Sequence, residues 1–368
     1  MSFNHFFSLV SRLFKQMTKK SSLSWTGYVG LGLGIILIVY LFSQLDLYRS
    51  VELISSIGFS SAFILLPFLA LHLLETIAWT RVFPRSIITI PFFKLLKIQF
   101  ITETVSMTLP AGVAIGEPLR PFLCSRFIGI PLPSGVASVA VRKLMLGVAQ
   151  GLYTVIGSLA GFSLLQAVSV RMLGFEGLGY IMVGVGMVVF LLFLFFLLLL
   201  LNGKAAQNIH RLLMLVPFKR VKTWLLEKES GFLDTDEELK SYRGSFAGRL
   251  VPVLFIYLVA WSMLAIESYI ILSLMGIQIS FLQVLAIDIA LMMLRTLFFF
   301  IPSGLGVQDL GYLAFFQALG MPDVLAYGGA FVLLRRLKEV IWYAVGYGIM
   351  FFSGVHLRDV EGVSKEGA

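Results

Sequence analysis

The stretch Leu109-Pro110-Ala111-Gly112 with Glu117 returns as Ile301-Pro302-Ser303-Gly304 with Asp309, 192 residues later. The same offset pairs Glu75 with Glu267. Slips of one residue pair Gly129-Ile130-Pro131 with Gly320-Met321-Pro322, and Arg142-Lys143 with Arg335-Arg336. The chain therefore reads as two diverged copies of one unit, with halves at about 61–165 and 249–352. Each copy interrupts an apolar segment with Pro, Gly and a carboxylate. Interrupted apolar segments at matching places in two halves are a sequence pointer to a transporter's binding site.

The 368 residues are 58% hydrophobic and 13% charged, well below the roughly 25% charged residues of soluble domains. The expected fold class is all-α: a polytopic helical membrane protein with an inverted internal repeat and two re-entrant helical hairpins. The net charge of +9 lies between apolar spans rather than on an aromatic-interleaved surface, so it reads as a topology signal and not as nucleic-acid binding. The single Cys124 excludes an intrachain disulfide framework and a multi-cysteine metal cage,, and reads as packing. His5, His72, His210 and His356 are scattered, no P-loop occurs, and Gly304, Gly306 and Gly311 are spaced unlike a dinucleotide fingerprint. No metal and no cofactor are expected. The only sizeable polar segment, 202–248, is below the size at which a domain holds its own core, which leaves no room for a soluble catalytic domain. Its run from Lys228 to Glu238 reads as a solvated helix face or connector.

Residues 1–24 interleave Phe3, Phe6, Phe7, Leu13 and Phe14 with Arg12, Lys15, Lys19 and Lys20. That pattern suits an amphipathic helix on an anionic leaflet better than a cleaved signal peptide. A single transmembrane domain is expected over 25–355, followed by a polar tail at 356–368. Runs long enough to span, about 20 residues, fall near 25–45, 61–82, 135–162, 178–201, 249–275 and 325–352. Segments 92–127 and 282–320 are broken by the repeated motif into pieces of about 15 residues, too short to cross and suited to re-entrant hairpins. The basic N-terminus, the Arg81/Arg85/Lys94/Lys97 region and loop 202–248, with Lys204, Arg211, Lys219, Arg220 and Lys222, fall on one side under this arrangement. The basic side is cytoplasmic, so both termini are expected there. The two halves then have inverted topology, and their Pro/Gly tips can meet near the midplane.

A charge at the centre of a spanning helix costs about 2.5–3.5 kcal/mol on insertion scales, so intramembrane charges are functional candidates. Glu103, Glu117 and Arg120 flank the first motif, and Asp288, Arg295 and Asp309 flank the second. Glu103 and Arg295 correspond at the 192 offset, which suits either a salt bridge between hairpins or contact with a zwitterionic or anionic head group. Arg335 and Glu339 are spaced for a helix-face ion pair. Arg142, Lys143 and Arg336 have no sequence-local acid, so anion binding and snorkelling both fit them. Gly112, Gly304 and Gly306 permit unusual backbone conformations, and Pro110 and Pro302 end the preceding helices. If short helices restart at Glu117 and Asp309, those acids cap them or couple protons. Gln308 sits beside Asp309 in the second motif. Glu75, one turn from His72, suits a proton-handling or structural pair, and its repeat partner Glu267 lacks the histidine. Gly157 and Gly161 form a small-xxx-small helix-packing face.

The first pattern, Leu109 to Gly112 followed by Gly116-Glu117-Pro118-Leu119-Arg120, Gly129-Ile130-Pro131 and Arg142, resembles the first signature of the lysylphosphatidylglycerol synthase transmembrane, or flippase-like, family. The second, Ile301-Pro302-Ser303-Gly304-Leu305-Gly306-Val307-Gln308-Asp309 with Gly320-Met321-Pro322 and Leu334 to Glu339, is similar to the segment closing that family's domain, especially in its hopanoid-associated branch. Ser303 stands where the family usually has Gly or Ala, and Asp309 where Glu is usual. The resemblance covers most of 25–355. It implies a bacterial inner-membrane protein that moves or handles lipids, either anionic, aminoacylated or hopanoid-type, with a lipid-biosynthesis enzyme as a partner. Bifunctional relatives carry a separate aminoacyl-transfer domain that this sequence lacks, so lysine transfer is not expected. Within the flippase reading, Arg120, Arg142, Lys143, Arg295, Arg335 and Arg336 are the candidate substrate contacts. Two other readings stay open: a membrane-embedded lipid-modifying enzyme subunit or scaffold using Glu103 or Glu117 as base, and a small-solute secondary transporter. The oligomeric state is not legible.

Overall fold

In a computed structural model the protein is described over residues 22–84, 87, 89–109, 112–202, 207–208, 229–240, 242, 247–298 and 301–355. The expected N-terminal amphipathic segment up to residue 21, Arg85, Pro110, the basic positions of loop 202–248 from Lys204 to Lys222, and the tail 356–368 lie outside these residues. Among the described residues the regular elements are all helical. Helices α1 (Ser22–Gln44) and α2 (Leu47–Ile57) precede a 3-10 turn (Gly58–Ile64) that runs directly into α3 (Leu65–Arg81). Then come α4 (Phe92–Thr108), α5 (Gly112–Ile128), α6 (Leu132–Ala160), α7 (Phe162–Leu173) and α8 (Leu178–Leu201). After α9 (Glu229–Lys240) follow α10 (Ala247–Leu274), α11 (Phe281–Leu297), a 3-10 turn (Pro302–Gly304), α12 (Val307–Ala318) and α13 (Val324–Phe352).

Among the described residues four stretches are long and apolar enough to cross a membrane: Leu47–Arg81, Leu132–Ala160, Leu178–Leu201 and Gly248–Leu274. The expected span near 25–45 is occupied by α1, 23 residues long, with Val29–Gln44 as an apolar stretch within it. One of the six expected spans differs. Helix α13 has 29 residues, ample length, but Arg335, Arg336, Lys338 and Glu339 interrupt its apolar surface. The first acid-bearing span is also longer than expected, because the turn after Gly58 (φ 59°) carries α2 into α3 instead of ending on an exterior loop.

The 192 offset is written into the helices: α6 and α13 each have 29 residues and begin at Leu132 and Val324. Each motif joins two short arms into a helical hairpin, α4 to α5 and α11 to α12. The residue before each proline is extended, Leu109 at φ −88°, ψ 145° and Ile301 at φ −91°, ψ 114°, because the proline ring disfavours a helical predecessor. The first hairpin closes through Gly112 and Gly116, where any Cβ would overlap Ser106 and, at Gly116, come within 2.8 Å of the Thr102 carbonyl. Gly311 likewise packs on Leu291 in the second hairpin. Ser303, Gly304 and Gly306 all take positive φ (51°, 60° and 79°) at the second tip. Helix α11 stops at Leu297, so Pro302 lies in the tip rather than at the helix end.

Packing between halves is reciprocal. Gly346 of α13 lies against Thr104 and Phe100 of α4, and Gly157 of α6 with Gly161 just past its end lie against Ile289, Leu285 and Ala286 of α11. Each half's last helix thus packs on the other half's hairpin. Two buried cores result, one around Trp79, Ile98, Leu123, Val141 and Tyr257, the other around Leu285, Ile289, Tyr312, Phe316 and Phe331. Leu258 and Trp261 of α10 pack against both. Helix α9 keeps a solvated face through Leu233, Asp234, Glu237 and Lys240 and docks by the opposite one: Asp236 and Leu239 are buried, Glu238 accepts from Ser134 at 2.8 Å, and just past the helix the Tyr242 hydroxyl donates to the Val82 carbonyl at 2.7 Å.

Candidate functional site

The repeated charges pair in the same way in both halves. In the first, Arg142 on α6 donates to Glu75 on α3 at 2.9 Å, and the next residue, Lys143, reaches Glu117 on the hairpin at 2.7 Å. In the second, Arg335 on α13 faces Glu267 on α10 at 3.8 Å, and the next residue, Arg336, reaches Asp309 on the hairpin at 2.5 Å. Successive residues on a helix point about 100° apart, so an Arg-Lys or Arg-Arg pair ties one helix to two neighbours.

Around this shared frame the halves diverge. In the first, Gln99 donates to Glu75 at 2.5 Å and accepts from Arg120 at 2.5 Å and Arg142 at 3.2 Å. Arg120, 1% exposed, also meets Glu103 and Glu117 at 3.2 Å each. Both arginines lie over the Trp79 ring, 5.5 Å and 5.4 Å from its centroid. In the second half, position 312 carries tyrosine where position 120 has arginine. The Tyr312 hydroxyl donates to Asp288, which also accepts from Ser268 at 3.0 Å. Lys338 supplies the charge instead, donating to Glu267 at 2.9 Å and lying 4.5 Å from the Phe68 ring centroid. Arg336 additionally holds Glu339 at 2.6 Å.

Several expectations change. Arg335 does not bridge Glu339; it turns to Glu267 and the Tyr312 ring, 4.7 Å away, while Arg336 takes Glu339. Glu103 and Arg295 do not pair: Glu103 goes to Arg120. Arg142 and Lys143, without sequence-local acids, have acids in space; Arg336, expected to lack a sequence-local acid, has Glu339 one turn along its own helix as well as Asp309. Helix α5 starts at Gly112, so Glu117 lies inside it and is no cap. Asp309 does cap, accepting from the Gly306 N–H at 2.9 Å. His72 is buried with Nδ1 3.5 Å from Gln99 rather than on Glu75, its ring edge-on to Phe68. Gln308 is buried, 6% exposed.

The hairpin tips meet. Arg295 Nη2 lies 3.1 Å from Met107 Sδ, and Ser303 Oγ donates to the Met107 carbonyl at 3.3 Å. Ser303 also bonds the Tyr343 hydroxyl at 2.7 Å, and Thr108 bonds Tyr347. These bonds fasten a serine in a left-handed conformation that costs it roughly 1 kcal/mol or more. Gly306 abuts Leu37 and Ile38 of α1, so the N-terminal helix braces the second tip. Among the described residues Arg295 makes no ion pair, unlike the other five basic candidates. Gln99, Met107, Tyr312 and Lys338 were not legible as site residues. For Lys338 the signal exists: 335, 338 and 342 share one helical face, and 336, 339 and 343 the next.

These features define an all-helical membrane protein whose buried charges are organised on two helical hairpins that touch at their tips. The chain belongs to the family described as the lysylphosphatidylglycerol synthase TM region, which matches residues 27–346, and so to a group tied to membrane-lipid function. No curated protein and no solved structure matches the chain.

Proposed function

We propose that the protein is a lipid flippase of the bacterial cytoplasmic membrane, moving an anionic, aminoacylated or hopanoid-type lipid between leaflets without catalysing a covalent step. The observation that carries this reading is Arg295: a half-buried guanidinium in an apolar segment, at the junction of two hairpin tips, which among the described residues hydrogen-bonds a thioether and pairs with no carboxylate. An unpaired intramembrane arginine is costly to keep, and its planar donors match a lipid phosphate bidentately. The ion pairs of Arg120, Arg142, Lys143, Arg335 and Arg336 make those residues the frame that holds the hairpins rather than the first contacts of a head group.

The hairpins are re-entrant and opposed in this account. Arms of 17 residues in α4, α5 and α11 and 12 residues in α12 are about 25 and 18 Å long, short of a hydrocarbon core of about 30 Å. Tip-to-tip contact and reciprocal packing fit an inverted pair with both termini cytoplasmic. Alternating which tip yields exposes Arg295 to one leaflet and then the other. A lipid-biosynthesis enzyme supplies the lipid on one side.

The test is leaflet exchange of a fluorescent anionic phospholipid in liposomes reconstituted with the purified protein. Exchange faster than in protein-free liposomes, reduced about tenfold or more by Arg295→Gln, is the expected result. That loss corresponds to one charge-assisted hydrogen bond. Protein that never accelerates exchange of any candidate lipid sinks the reading.

A further inference from the structure

A second feature lies away from the hairpin tips, on the seam between α4 and α13. Gly346 closes that seam against Thr104, but Gly348 has no atom within 4 Å of where a Cβ would stand. There a cleft of about 400 Å³ opens, lined by Lys97, Val345, Gly348, Ile349, Phe352 and Ser353. Val345, Gly348, Ile349 and Phe352 follow i, i+3, i+4, i+7 spacing, so they form one continuous wall along α13. The wall is apolar and turned outward: Val345 is 39% and Phe352 88% exposed.

The charge on this cleft is Lys97. Its ammonium sits 4.9 Å from the Phe127 ring centroid and, among the described residues, within ion-pair distance of no carboxylate. Arg126 lies at the same end, 6.0 Å from the same ring, and donates to the Gly354 carbonyl just past α13 at 3.0 Å. The arrangement joins an apolar trough, open at the protein surface, to an ammonium beside it.

We propose that this cleft is a binding site for a phospholipid with an anionic head group, its phosphate on Lys97 and one acyl chain along Val345, Ile349 and Phe352. Surrounding lipid is as apolar as the trough, so chain burial gives little preference for one lipid over another. Selectivity comes from the ammonium, a point-charge phosphate partner. One such charge near a membrane surface is worth a factor of about five in affinity. The site stands apart from Arg295 and holds whether or not the chain moves lipids.

Native mass spectrometry of the full chain in detergent, with added phosphatidylglycerol or phosphatidylcholine, tests it. The full chain binds phosphatidylglycerol about fivefold more tightly than phosphatidylcholine. Arg295→Gln leaves a preference in place, and in that background Lys97→Gln abolishes it while Lys97→Arg keeps it. Gly348→Leu, whose Cβ meets open space, occupies the trough, weakens binding of both lipids and leaves the melting temperature unchanged. The proposal is overturned by equal affinity for the two lipids, by a preference that survives Lys97→Gln in the Arg295→Gln background, or by one lost in Arg295→Gln alone. Equal competition by soluble glycerol phosphate would mean a head-group site without the chain. Stronger lipid binding after truncation at Val355 would make the chain's own tail the occupant. Either result also overturns it.

Discussion

Lys338 and Glu267 hold each other at 2.9 Å with side chains only 3% and 2% exposed, across 71 residues of sequence. Glu267 also carries Arg335 at 3.8 Å, so a single carboxylate is shared by two buried cations. Glu267→Gln strands both and should cost about 3–5 kcal/mol. Lys338→Met leaves Arg335 in place and should cost less. Thermal melting of the two single variants and of Glu267→Gln with Lys338→Met checks this, with the double variant losing less than the two single losses combined. Additive losses would contradict the pairing.

Equivalent positions in the two halves should differ in energy. Lys143 is 50% exposed and its partner Glu117 21%, whereas Arg336 is 15% and Asp309 2% exposed. Lys143→Gln should change stability by about 1 kcal/mol or less, and Arg336→Gln by about 3–5 kcal/mol. Comparable melting shifts for the two would show that the offset pairs are energetically alike, against this reading.

Two glycines give opposite outcomes. Gly116→Ala drives a methyl into Ser106 and the Thr102 carbonyl, and should destabilise by about 1–3 kcal/mol by overpacking the first hairpin. Gly348→Ala meets open space inside a helix and should be neutral or stabilising by up to about 1 kcal/mol. Melting temperatures of the two variants in one detergent decide between these expectations.

The unbroken helices were legible because long apolar runs have few alternatives, and the hairpins because Pro, Gly and acid recur at one offset. The partners were harder to read. Arg335 and Glu339 have ideal i, i+4 spacing, yet Arg335 turns to Glu267 because a desolvated carboxylate on α10 needs a countercharge more than the part-exposed Glu339 does. Lys338 escaped notice because its first-half counterpart at the 192 offset, Leu146, is apolar, so the repeat did not flag it. The same holds for Tyr312 opposite Arg120. The contact of Arg295 with Met107 depends on how two hairpins approach in space, which no spacing encodes.

In the proposed flippase, lipid passes between the hairpin tips. Met107 and Ser303 touch there, so Met107→Cys with Ser303→Cys, in a Cys124→Ala background, can be joined by a short reducible thiol cross-linker. Lipid exchange would be measured in the same proteoliposomes before cross-linking, after it, and after reduction. Exchange that falls to the protein-free level when joined and returns on reduction is the predicted result. Exchange that continues unchanged, with the cross-link verified by mass, would contradict the account.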